Sequence, residues 1–378
     1  MVFMSRQTPA MTRIHLADKV SFLQRAASYP QPVRNVVAIE THFSWVFLAG
    51  RHAYKLKKPV RQAPMDYLSV ASRRRACERE VALNRRLAPR VYVRVVPLSR
   101  NPGGGLVLGP GAHVVDWLVK MRRLPAHRML DRVLAHGGPS PVQIQAIVDR
   151  LMAFYSATEC VRMSGPEYLA RMRRRVRENR QALLGPQLGV DAALVRRISA
   201  TQLAYLDAGG QEVRARARRV VDCHGDLRPE HVYLGPPLAI IDRLEFSPDL
   251  RAMDPLEELA FLALECRRLG GEASARLLLE HARKGDDGAS DALVAFYTSH
   301  RAMNRAKLAA WHLRDPQVSD RQKWAARADA YLHEALSQAR AALGGGQASR
   351  RGASGSPAII RRRAAANSGA VPRSSSLR

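Results

Sequence analysis

A chain of 378 residues with 46% apolar content can bury one large core or two lobes, and no run in it approaches the roughly eighteen apolar residues of a helical membrane span. Cys77, Cys160, Cys223 and Cys266 stand too far apart for a C-x-x-C zinc site or a disulfide framework and predict buried free thiols. The net charge of +28 is almost wholly arginine, since 8 of the 61 cations are lysine; it favours polyanions without specifying a fold, and a GC-rich genome would leave the same bias.

The opening MVFMSRQTPAMTRIHL lacks the basic-then-apolar order of a signal peptide, which predicts a cytoplasmic location. Residues 14 to 29 carry the spacing of a short amphipathic helix. PVRNVVAIETHFSWVFLAGRHAYKLKKPV then alternates with period two, predicting a hairpin that turns at Gly50 and closes at Pro59. From Ser69 to Leu87 apolar residues recur at helical spacing, among them Ala76, Val81, Leu83 and Leu87, until Pro89 stops the helix. VYVRVVPLS and LVLGPGAHVVDWLVKM are further strand-like runs joined by RNPGGG, a hairpin loop by composition. The first 120 residues therefore read strand, strand, helix, strand, strand.

Beyond Arg122 helical stretches dominate, at 127–135, 141–157, 166–183, 190–208, 254–269, 272–283, 288–312 and 319–342. VVDCHGDLRPEHVYLGPPLAIIDRLEF, residues 220–246, interrupts them. Its two short apolar runs lead into His224-Gly225-Asp226 and into Asp242, so both carboxylates are expected where a strand gives way to a loop. Residues 346–378 contain no acid and few large apolar groups, and are expected to form a disordered basic tail because they cannot offset their ordering entropy.

A small mixed lobe over residues 1–120, a helical lobe over 121–345 and two loop carboxylates between them suit phosphoryl transfer, which is positioning plus neutralisation of phosphate charge. Asp226 is placed to orient an attacking hydroxyl and accept its proton. Asp242, expected on the neighbouring strand end, is placed to hold a magnesium ion that bridges nucleotide phosphates. In AYKLKK, Lys55 and Lys57 share one face by period two while Lys58 points away. Glu80 or Glu78, in CEREVALNRRL, is the helix acid that would hold such a lysine.

In these residues and their order the chain resembles the aminoglycoside phosphotransferase family, which has the protein-kinase-like fold. HGDLRPEH is similar to the family's catalytic loop, LAIIDRLEF to its metal-binding strand and MDPLEELAFLALE to the helix that follows. SWVFLAG, AYKLKKP and EREVALNRRL resemble its nucleotide-covering hairpin, lysine strand and glutamate helix, and the likeness spans about residues 35 to 310. The resemblance implies an α+β two-lobe fold with a small mixed β/α N-terminal lobe and a mainly helical C-terminal lobe. It implies an ATP-dependent phosphotransferase acting on a hydroxyl of a small molecule. Asp226 and His224 would be catalytic, Lys55, Lys57, Glu80, Met121 and Ser44 would bind ATP with adenine near Met121, and Asp242 with His231 would hold Mg2+. His231 stands where the family has asparagine, and imidazole is softer than the oxygens magnesium prefers. Glu230 beside it offers an oxygen.

Several of these residues have plainer roles available. His224 can hydrogen-bond the backbone, Asp254 before Pro255 has the form of a helix N-cap, and Lys57 or Lys58 can be a solvated strand-edge charge. RMRRRVREN at 171–179 reads as a wet helix face. The competing reading is a kinase-like fold with little or no catalysis that binds nucleic acid or a membrane surface through its arginine helices and tail. A degenerate module has no reason to keep Asp226, Asp242 and a Lys55–Glu80 pair together. No G-x-x-x-x-G-K-[ST] occurs, which argues against a P-loop kinase. With 33 acids against 61 cations, a neutral or anionic acceptor is expected rather than a polycationic drug, unless Glu257, Glu258 and Glu265 form an acidic pocket.

Overall fold

The computed structural model describes residues 14–186, 188–284, 289–315, 318 and 320–353. The N-terminal part is built on a six-stranded antiparallel sheet in the order Val36–Glu40, Ser44–Ala49, His52–Lys57, His113–Arg122, Tyr92–Arg100, Leu106–Leu108. The stretch expected to form a two-stranded hairpin thus holds three strands. Its extra turn, Thr41-His42-Phe43, has no glycine or proline to announce it. The Thr41 hydroxyl closes it instead, accepting the Ser44 N–H at 3.0 Å.

Alternation along the strands gives the sheet two apolar faces. Phe47, Tyr54, Leu56, Leu98 and Leu118 pack under the helix Leu16–Gln24 with its Phe22 and Leu23. Ala53, Val119 and Met121 face the other way, onto Cys77 and Val81 of the helix Val70–Arg85. That helix buries Arg73, Ala76, Cys77, Glu80, Val81 and Asn84, a stripe at three- and four-residue spacing, and Ser69 caps it by accepting the Ser72 N–H.

After Arg122 the chain is mainly helical, as expected. Pro141–Ser156 and Gly165–Leu183 each start on a Ser capping box with a proline in the first turn, and Asp254 caps Pro255–Arg268. Every residue from Leu256 to Cys266 is buried, so this helix is the axis of the lobe. On one side it packs with Pro141–Ser156 and Glu272–Lys284. On the other it meets Ala192–Ala208, the alanine-rich end of Asp291–Trp311, and Arg321–Ala353. The last helix runs past the expected end at 342 to Ala353, and residues 354–378 of the expected tail lie outside the described residues. Cys77, Cys223 and Cys266 are buried thiols, while Cys160 is exposed, contrary to the expectation for all four. Among the described residues no helix is long and apolar enough to cross a membrane.

Candidate active site

Period two along His52–Lys57 turns Tyr54 and Leu56 into the outer core and leaves Ala53, Lys55 and Lys57 facing the glutamate helix. Glu80 receives both lysines, Lys57 Nζ at 2.6 Å and Lys55 Nζ at 3.0 Å. Glu78, the other candidate, is exposed and pairs with Arg74, and Lys58 points away to Glu40. Lys57, 1% exposed, also bonds Glu245, whose carboxylate accepts the Tyr67 hydroxyl at 2.6 Å. Lys55 instead reaches the cleft, with its Nζ 2.6 Å from Asp242 Oδ1. Burial would lower both ammonium pKa values, but Asp242 and Glu80 outweigh it at Lys55, as Glu80 and Glu245 do at Lys57, and both lie above the ordinary lysine range.

Met121 sits in an apolar layer that spans the lobe junction, with Ala53 and Leu48 from the sheet and Tyr233, Ala239, Met129 and Ile241 from the helical part. A flat aromatic base suits such a layer. Ser44 pairs with Lys57 across the ladder and is 2% exposed, so a phosphate would reach it only if the hairpin shifted.

Asp226 and Asp242 are not on neighbouring strands. Val221–Asp222 pairs with Ala252–Met253, whereas Ala239–Ile240 pairs with Val232–Tyr233. A histidine staples the two loops together. His224 Nε2 lies 2.8 Å from the Ile241 carbonyl and therefore carries the ring proton, and Nδ1 accepts the Asp226 N–H at 3.3 Å. Burial first, and the nearby His231 second, push this imidazole down to about 3, so it is neutral. Glu258 anchors the same loop by accepting the His224 and Gly225 N–H groups at 2.9 and 2.6 Å and the Tyr155 hydroxyl at 2.7 Å. Gly225 is required between them. Its φ is +94°, and a Cβ there would stand 3.0 Å from Arg251 Cγ and 3.1 Å from Leu244 Cβ.

Asp242 occupies the left-handed region at φ +62°, and its N–H donates to the Tyr92 hydroxyl at 3.0 Å. This turn aims a 41% exposed carboxylate into the cleft. Burial would raise its pKa, yet the Lys55 ammonium holds it well below the ordinary carboxylate range. At Asp226 burial likewise raises the pKa, and Arg228 and His231 bring it below the usual value. Arg228 touches three groups at once: Asp226 Oδ2 at 3.1 Å, Glu230 Oε1 at 2.6 Å and His231 Nε2 at 3.1 Å. His231 Nδ1 lies 2.8 Å from the Asp226 carbonyl, and its Nε2 is 3.6 Å from Asp242 Oδ2.

Among the described residues no group of three or more His, Cys, Asp or Glu is arranged to hold a metal. Magnesium needs less from a protein than that, because one or two carboxylates plus substrate phosphates complete its oxygen shell. Asp242, ionised and facing the cleft, fits that role. His231 fits it poorly, since its Nε2 lone pair accepts from Arg228. Sequence reasoning missed Arg228, Glu245 and Tyr92, and took Glu258 for a possible pocket acid. A short signal existed for two of them: Arg228 follows Asp226 by two residues, and Glu245 follows Asp242 by three.

No family model matches the chain. Uncharacterized proteins of Mycobacterium tuberculosis and Mycobacterium bovis are 33% identical over 280 residues, 71% of this chain and 53% of each relative, so the chain spans about half the length of these curated relatives. A choline/ethanolamine kinase family protein from Mesorhizobium loti superposes with a TM-score of 0.52 at 17% identity, over 86% of this chain and 99% of that one. The GDP complex of wild-type aminoglycoside 2'-phosphotransferase-IIIa gives 0.51 at 17% identity, over 85% and 98%. The chain therefore has the kinase-like two-lobe fold shared by aminoglycoside phosphotransferases and choline/ethanolamine kinases.

Proposed function

We propose that this protein is an ATP- and Mg2+-dependent phosphotransferase acting on a hydroxyl of a small molecule that is not a polycation. The observation that carries the reading is Lys55, whose ammonium bridges Glu80 and Asp242 and so sets a phosphate-binding charge beside a cleft carboxylate. Asp226, stapled to the same loop pair through His224, would orient the acceptor hydroxyl and take its proton. Its low pKa makes it a weak base, so orientation is its larger contribution. Asp242 would hold magnesium, which when bound would supply positive charge against the nucleotide phosphates. Adenine would enter the apolar layer around Met121. A structural neighbour of the same fold is a GDP complex, which supports nucleotide binding.

The acceptor class follows from where the acids are. Glu257, Glu258 and Glu265 are fully buried, and they are taken by Arg301, the catalytic-loop amides and Arg305 respectively. The cleft carboxylates Asp226, Glu230 and Asp242 each have a cationic partner. A polycation would find no spare carboxylate among them.

The binding-module reading gains no support from the arginine helix, where Arg171, Arg173 and Arg174 pair with Asp249, Asp207 and Glu178. A thermal-shift measurement with ATP, with and without Mg2+, tests the enzyme reading, because a ligand that binds the folded state raises its melting temperature. A magnesium-enhanced rise is expected. Absence of any rise at millimolar ATP in both conditions would end the reading.

A further inference from the structure

We propose that Arg228 is a catalytic residue that supplies, from the chain itself, a fixed positive charge at the point of phosphoryl transfer, so that the site works with a single bound divalent ion. The inference rests on the phosphotransferase reading above and goes beyond it in assigning this arginine and the metal count.

Position is the first argument. Arg228 Nε and Nη2 contact Asp226 Oδ2 and His231 Nε2 at 3.1 Å each, and that imidazole nitrogen lies 3.6 Å from Asp242 Oδ2. The guanidinium therefore lies beside the strip between the acceptor-orienting carboxylate and the metal-holding carboxylate. A phosphoryl group passing from nucleotide to acceptor crosses that strip, with charge spread over its equatorial oxygens.

His231 supplies the second argument. Its Nδ1 is committed to the Asp226 carbonyl at 2.8 Å, which leaves Nε2 as the acceptor, and Arg228 donates to it. A divalent ion on the same nitrogen would face a guanidinium about one hydrogen-bond length away. Histidine at this place and arginine three residues before it are thus one arrangement: the nitrogen that cannot serve magnesium holds the cation that stands in for a second ion.

Arg228 is also preorganised. Glu230 Oε1 receives Nη1 at 2.6 Å, and Pro229, buried, starts the short turn Pro229–His231 directly after the arginine. The fork is held on three sides before any substrate arrives, as transition-state stabilisation requires. These contacts use three of the five N–H donors of a guanidinium, leaving two for phosphate oxygens. In the transfer step the acceptor oxygen forms its bond to phosphorus as the bridging oxygen's bond breaks. The electron pair leaves with the nucleoside diphosphate and the hydroxyl proton goes to Asp226. Arg228 exchanges no proton and neutralises charge throughout.

The test needs no acceptor. Calorimetry on the full chain compares ATP with ADP in Mg2+, and electron paramagnetic resonance counts Mn2+ in the complex with a non-hydrolysable ATP analogue. The wild type is expected to prefer ATP by about tenfold or more, the worth of a charge-assisted contact to the terminal phosphate, and to bind one Mn2+ per complex. Arg228→Ala is expected to lose the preference while its ADP affinity stays within about twofold, and Arg228→Ala combined with His231→Asn to take up a second Mn2+. Should the alanine variant fail to fold, Arg228→Gln is read the same way. Two Mn2+ ions in the wild type, or an unchanged ATP preference in the variant, overturn the proposal and leave the phosphotransferase reading standing. A wild type that binds neither nucleotide overturns both.

Discussion

Lys55 Nζ stands 2.6 Å from Asp242 Oδ1 across 187 residues of sequence, while Lys57, two positions along the same strand, spends its charge on Glu80 and Glu245 out of contact with solvent. The pair divides function from stability. Lys57→Met would leave Glu80 and Glu245 short of a buried partner and should destabilise the fold by ~3–5 kcal/mol in chemical denaturation. Lys55→Met should cost less in denaturation, because Glu80 keeps Lys57 and Asp242 is partly exposed, and should weaken ATP binding by about tenfold or more, measured by calorimetry. Equal stability losses in the two variants would contradict this division.

Asp242→Ala is expected to remove the magnesium dependence of nucleotide binding, because Asp242 is the partly exposed carboxylate that pairs with Lys55. ATP affinity measured with Mg2+ and with EDTA should converge in the variant. A persistent magnesium effect would move the ion to Glu230 or Asp226.

Asp226→Asn should cut phosphate transfer by about 100-fold or more while leaving ATP affinity within about twofold, since the carboxylate acts on the acceptor. The substitution keeps the backbone N–H that His224 Nδ1 accepts, so the loop is undisturbed. The readout is a phosphorylated product detected by mass spectrometry after incubation with ATP and a cell extract. Equal product from the variant would remove Asp226 from the chemistry.

Two buried histidines set an acid limit. His224 and His300 fall from 6.5 to about 3, chiefly through burial, so between those values the unfolded chain binds protons that the folded one refuses. Their contribution is fully present above pH 6.5 and is lost as pH falls toward 3, at roughly 1.4 kcal/mol per pH unit for each. Denaturation at pH 7, 6 and 5 should show that decline, and His300→Asn should shallow it by about one proton. Stability that is flat over this range would refute the assignment.

Expression in a sensitive bacterium should leave the inhibitory concentration of kanamycin unchanged, because Glu257, Glu258 and Glu265 are buried and paired. A rise that disappears with Asp226→Asn would restore a polycationic acceptor.

What the sequence determined by itself is whatever is written within a few residues. Ser140 and Ser164 followed three positions on by Gln143 and Glu167, Asp254 before Pro255, and period two through Tyr54, Lys55, Leu56 and Lys57 each declare an element through hydrogen bonds or alternation local to it. The order of lysine strand, glutamate helix, His-Gly-Asp loop and second carboxylate was legible for the same reason. The turn at Thr41 was not, because a hydroxyl contact, rather than glycine or proline, closes it.

Only the tertiary structure decided which charges meet. Glu78 and Glu80 differ by two positions, a rotation of roughly 200° around a helix, and only packing against the sheet shows that Glu80 is the inward one. Glu258 could as well have lined a pocket as anchored the His224 loop, and Glu245 could have faced solvent rather than Lys57. Arg228 at the junction of Asp226, Glu230 and His231 depends on one tight turn placing three side chains within hydrogen-bond reach. Coulomb attraction has no directional pattern that a sequence can carry, so partners as far apart along the chain as Lys57 and Glu245 are chosen by the fold that excludes water around them.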